Sequence, residues 1–103
     1  MAKYLLAYTG GGMAATDEER QALMAAWGAW FGTLGSAIVD PGNPFGPSAT
    51  VGAGSVSDGG ASRLTGYTVL SADSLADAAK LAGGCPVLEH GGSVEVYETH
   101  EVM

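Results

Sequence analysis

The sequence is short of charge, and shortest of positive charge. Asp, Glu, Lys and Arg supply 15% of its 103 residues, and only Lys3, Arg20, Arg63 and Lys80 are basic. These four are scattered and the formal charge is −7. A polyanion would be repelled, which excludes nucleic acid and anionic membrane as expected partners. A single cysteine, Cys85, excludes an intrachain disulfide and agrees with a reducing compartment. No apolar run approaches the roughly 20 residues of a membrane-spanning helix. The opening MAKYLLAYTGGG is too briefly apolar for a signal peptide and reads as a strand closed by glycines. A cytoplasmic protein is therefore expected. The two histidines, His90 and His100, lack metal-ligand spacing and a third donor nearby in sequence, so no metal site is expected. The Gly10-Gly11-Gly12 run has no Lys-Ser or Lys-Thr after it and precedes an acidic helix start, so it is not a phosphate cradle, and no cofactor is expected.

What is present is apolar residue and glycine. Apolar types make up 47% of the chain, enough for one core in a single domain over residues 1–103. The 17 glycines fall in pairs and triples at junctions, as turn punctuation. Lys3 to Tyr8 alternates as a strand, with Tyr4, Leu6 and Tyr8 on one face and Leu5 and Ala7 on the other. Thr16 starts a helix with Glu19 at capping-box spacing, and Leu23, Met24, Trp27, Trp30, Phe31 and Leu34 form its wide apolar stripe, ended by Gly35. Ala37–Val39 is a short strand. Residues 40–47, DPGNPFGP, form an ordered loop. Ala49–Ser57 has weak strand character and Arg63–Leu70 is a strand, and the turn signal Asp58-Gly59-Gly60 predicts a hairpin between them. Asp73 or Ser74 caps a second helix with a slim Leu75, Ala78, Ala79, Ala82 face, stopped by Gly83, Gly84 and Pro86. Ser93–Glu98 alternates again, Val94 and Val96 inward.

The order strand, helix, strand, strand, helix, strand is the split βαβ plan, an α+β ferredoxin-like fold with an antiparallel sheet. Both helices then lie on one face. The bare face keeps apolar side chains, and a second copy packed sheet to sheet, a homodimer, is the simplest cover.

The chain resembles the YCII-related family, through the strand KYLLAY, the segment WGAWFGTLG, the loop VDPGNPFGP, the stretch GYTVLSADSLADAAKLAGGCPVLEHGG and the strand SVEVYE. The resemblance implies a ferredoxin-like protomer, a dimeric α/β barrel joined through its sheets, and a cleft near the helix–sheet junction. Many members have no known function; a few act on small organic molecules such as chlorinated lactones. Better-known members carry a His on the first helix and an Asp before a Pro near the end of the second, as a proposed acid–base pair. Here Trp27 lies about where that His would fall and Cys85 stands before Pro86, so the pair is not carried over.

The candidate residues each have a functional and a structural reading. His90 is suited to act as a base near neutral pH with Asp40 orienting it, or it is a turn residue bonded to backbone. Asp40 and Asn43 would face a polar ligand, or fasten the turns of their own loop. Trp27 and Trp30 would roof an apolar pocket walled also by Phe45, or pack in the core. Tyr67 would offer a hydroxyl to ligand, or fill an interface between sheets. Cys85 follows a helix C-terminus, where a thiolate is disfavoured. Three functions follow: a small-molecule binding or accessory protein; a small lyase, isomerase or dehalogenase acting on a lactone- or ketone-like substrate with His90 as general base; or a purely structural dimerisation module.

Overall fold

A computed structural model describes residues 2–10, 16–60 and 62–101. Among these residues, six strands and two helices run in the order β1 (Ala2–Thr9), α1 (Asp17–Leu34), β2 (Ile38–Asp40), β3 (Ala49–Gly52), β4 (Ser55–Asp58), β5 (Leu64–Ala72), α2 (Leu75–Ala82) and β6 (Ser93–Glu98). Short 3₁₀ turns at Gly35–Ala37 and Pro86–His90 follow the two helices. The fold is α+β. Its main sheet has the order β2-β5-β1-β6 with every pairing antiparallel, compatible with the split βαβ plan.

The helix boundaries follow their caps. Thr16 accepts the Glu19 amide at 3.1 Å, and Asp17, Glu18 and Glu19 fill the positive first turn. Ser74, rather than Asp73, caps α2, accepting the Asp77 amide at 3.1 Å. Gly35 closes α1, donating its N–H to the Phe31 carbonyl. Of the glycine triplet expected to end β1, Gly11 and Gly12 lie outside the described residues, as do Val102 and Met103.

Tyr4, Leu6 and Tyr8 of β1 take the helix-covered face. They join Leu70 and Ala72 of β5, Trp30 and Leu34 of α1, and Ala78 and Ala82 of α2 in one buried cluster, so both helices pack on the same side. Pairing register puts Leu6 opposite Thr68 and Val96, and Tyr8 opposite Gly66 and Val94. By alternation, Leu5, Ala7, Tyr67, Val69, Glu95 and Tyr97 occupy the other face. No described helix covers it, and Tyr97 is half exposed.

Two expectations need correction. Ala49–Ser57 does not form a hairpin with Arg63–Leu70. It folds on itself, β3 against β4, with Val51 opposite Val56 and Gly54 at φ 80° in the turn. The AGS sequence after Gly52 supplies a tighter turn than Asp58-Gly59-Gly60 does, and β5 is left to pair with β1 and β2. The α1 stripe is also not one packed face. Trp30 and Leu34 are buried, whereas Met24 is 69% exposed and Leu23, Trp27 and Phe31 are half-buried. The side of α1 that carries Leu23, Trp27 and Phe31 therefore overhangs the sheet instead of sealing against it. No helix is long and apolar enough to cross a membrane among the described residues.

Candidate ligand cleft

The overhang of α1 opens a cleft of about 370 Å³. Leu23, Trp27 and Phe31 of α1 form one wall, and Tyr8, Gly66 and Thr68 of the sheet form the floor. Residues 41–44 close one side; Val87 and His90, from the 3₁₀ turn after α2, close another. Its volume is that of a small-molecule site, and its walls are mostly apolar, as such sites usually are.

The floor is rigid because its polar groups are satisfied within the protein. The Tyr8 hydroxyl donates to Thr68 Oγ1 at 2.5 Å, and Thr68 donates onward to the Pro41 carbonyl at 2.9 Å. Thr68 is fully buried, so this chain of bonds meets the cost of placing a hydroxyl in the core. Burial pushes the Tyr8 phenol well above its ordinary value of 10.0. At neutral pH it is a fixed donor and not a base. Burial also raises the adjacent Cys85 thiol, to about 11, which removes it as a nucleophile.

The loop wall is equally fixed. Asp40 Oδ1 accepts the Gly42 amide at 2.8 Å, Pro44 bridges to Gly66, and the Phe45 amide donates to the Thr65 carbonyl at 2.9 Å. Gly42 sits at φ 74° against β5, where a Cβ would stand 1.7 Å from the Tyr67 carbonyl oxygen. Only glycine lets the loop lie this close. Gly66 has a matching role, since a side chain there would crowd Pro44 and the Tyr8 ring.

Aromatic rings line the α1 wall as a contiguous group. Trp27 meets Tyr8 edge-on at 5.3 Å between centroids, Trp30 edge-on at 5.6 Å, and Phe31 at 5.7 Å. Such contacts favour one ring arrangement over others.

Of the residues singled out from the sequence, Trp27, Asn43, Tyr67 and His90 border the cleft; Asp40, Trp30 and Phe45 do not. Trp30 is buried in the core beside Gly84, its indole N–H donating to the Leu81 carbonyl at 3.1 Å. Asp40 is occupied by its own turn and by the Tyr67 hydroxyl, 3.2 Å from Oδ2. His90 and Asp40 are therefore not brought together in one site. Tyr67 borders the cleft where its carbonyl meets Gly42, but alternation turns its ring to the open sheet face, where it stacks on Phe45 at 5.7 Å. His90 lies exposed at the mouth, ending the 3₁₀ turn just before Gly91 at φ 78°.

Tyr8, Phe31 and Thr68 were missed as cleft residues. Phe31 follows Trp27 by four positions, which places both on one stretch of helix face. Thr68 was marked by being the one polar residue alternating with Gly66, Leu70 and Ala72. Among the described residues, no group of three His, Cys, Asp or Glu is placed to hold a metal ion. The chain matches no known protein-family model and no curated protein.

Proposed function

We propose that this protein binds a small organic molecule in the cleft beneath α1 and works through binding, with no turnover of its own. The observation that carries this reading is the exposed part of the Trp27–Phe31 wall over a rigid, internally satisfied floor. Half-exposed aromatics over a concave surface gain from a ligand the burial that α1 leaves incomplete. Acid–base work needs a titratable group with a partner to orient it. Among the described residues His90 has no such partner, Asp40 is held elsewhere, and Tyr8 keeps its proton.

The same reading takes the protomer as ferredoxin-like, related to the YCII-related proteins, and paired with a second copy through the uncovered sheet face as a dimeric α/β barrel. It is supported by the strand order and by Leu5, Ala7, Val69 and Tyr97 lying together on that face.

A thermal-shift screen across uncharged aromatics, carboxylates and amines tests the binding reading. A ligand at about 100 times its Kd adds about 2.7 kcal/mol to the native state, enough to raise Tm by several degrees. The expected hit loses its effect in Trp27→Ala. A blank screen, or a hit indifferent to both Trp27→Ala and Phe31→Ala, would contradict binding at this cleft.

A further inference from the structure

The polar groups around the cleft fall into two sets. Tyr8 and Thr68 are bonded to each other and to the loop. Trp27, Asn43 and His90 are not so engaged. Among the described residues, the Trp27 ring meets Tyr8, Trp30 and Phe31, and its indole N–H has no hydrogen-bond acceptor. Asn43 gives its backbone carbonyl to the Tyr67 amide, and its side-chain amide bonds none of the described residues. The His90 imidazole likewise has no partner among them. The other tryptophan is a control within the same helix: Trp30, three residues on, has its N–H fully engaged by Leu81.

An indole N–H is a donor and nothing else, so what it lacks is an acceptor. The Asn43 amide adds further donors at the mouth, and His90 can donate as well. No Asp, Glu, Lys or Arg side chain borders the cleft among the described residues. A ligand with a full charge would lose its hydration there without an opposite charge to replace it. The net charge of −7 further opposes an anion. The remaining wall of Leu23, Trp27, Phe31 and Val87 fits a flat apolar body able to pack against aromatic faces and edges.

We infer that the cleft takes an uncharged, flat aromatic molecule bearing a carbonyl oxygen. The ring system lies along Trp27 and Phe31, and the oxygen accepts from the Trp27 N–H, with Asn43 and His90 completing its contacts at the mouth. This inference rests on the binding function proposed above and specifies what is bound.

Three probes built on one bicyclic ring system separate the parts of the inference: 1-indanone, with the carbonyl; indane, without it; and indane-1-carboxylate, charged. Affinities are measured at about pH 8 by ligand-observed NMR titration. One neutral hydrogen bond made in place of a bond to water is worth up to about tenfold in Kd. The expected result is 1-indanone binding about tenfold more tightly than either other probe. Trp27→Phe, which keeps a ring and loses the N–H, should bring 1-indanone down to the level of indane and leave indane within about twofold. Asn43→Ala, in an exposed loop position, provides a second variant if Trp27→Phe does not fold, and should weaken 1-indanone while sparing indane. Equal affinity for indane and 1-indanone overturns the carbonyl requirement and leaves binding intact. Tightest binding of the carboxylate overturns the requirement for an uncharged ligand. If none of the three binds while the thermal screen finds a hit of another class, the inference fails alone; if that screen is also blank, the binding function fails with it.

Discussion

The Tyr8 hydroxyl and the Thr68 side chain, paired at 2.5 Å, tie the central strand pair to the loop that follows β2, because Thr68 donates its own proton to the Pro41 carbonyl. The floor of the cleft and its side wall are thus one rigid unit. Thr68→Val keeps the shape of the side chain and removes both bonds, leaving the buried Tyr8 phenol without its hydroxyl acceptor and the Pro41 carbonyl without its donor. It should cost about 1–3 kcal/mol in urea unfolding. Tyr8→Phe should also destabilise, and the double variant should cost less than the sum of the two. Strict additivity would mean the two hydroxyls act independently.

Gly42→Ala should be destabilising out of proportion to one methyl group. The added Cβ would stand 1.7 Å from the Tyr67 carbonyl oxygen, on a backbone already at φ 74°. The loop must lift from β5, at a cost of about 1–3 kcal/mol, and the wall at Asn43 moves with it. Unfolding and probe affinity should therefore both suffer. Unchanged stability in the Gly42→Ala variant would contradict the close approach.

High pH should weaken the fold. Burial raises the Cys85 thiol from 9.0 to about 11 and lifts the Tyr8 phenol from 10.0. Both groups keep their protons in the folded chain after the unfolded chain has lost them, so the unfolded state binds fewer protons there. The Cys85 contribution is complete below pH 9.0 and is lost as pH rises through about 11; the Tyr8 contribution is complete below pH 10.0 and begins to fall above it. The urea midpoint should fall over that interval, and less steeply in Cys85→Ala. A midpoint independent of pH there would contradict the assigned burial.

The open sheet face yields a separate test. Val69→Lys puts a charge beside Leu5 on the face away from the cleft. If two copies pair through this face, wild-type protein sediments as a dimer and the variant as a folded monomer that still binds 1-indanone. A monomeric wild type would contradict the pairing while leaving the cleft untouched.

Much of the fold was legible because local signals agreed with one another. Thr16 and the Asp73-Ser74 pair marked the helix starts, and alternation grouped Tyr4, Leu6 and Tyr8 on one face of β1 and turned Val94 and Val96 of β6 inward, while leaving open which β1 face the helices cover. The β3–β4 hairpin was misread because weak strands pair by turn geometry, and two adjacent turn signals competed. The site was harder to read. Periodicity marked Trp27 and Trp30 alike as apolar-face residues, yet one overhangs a cleft and the other is bonded into the core. Which of them is which depends on where α1 parts from the sheet, a tertiary fact set partly by Gly84 and the turn after α2. Asp40 and His90 were joined on chemistry alone, and only the path of the loop separates them.

The two indole N–H groups give the most direct test of the central claim, that the α1 face carrying Trp27 and Phe31 overhangs a ligand cleft while the face carrying Trp30 and Leu34 is core. In a ¹H–¹⁵N spectrum each tryptophan contributes one indole resonance. The Trp30 resonance should be protected from hydrogen exchange by its bond to Leu81, and Trp27 should exchange fast. On addition of 1-indanone, the Trp27 indole and the amides of Gly66 and Thr68 should shift, with Trp30 unmoved. Shifts confined to Leu5, Val69 and Tyr97 on the open sheet face, or two indoles equally protected and equally still, would contradict it.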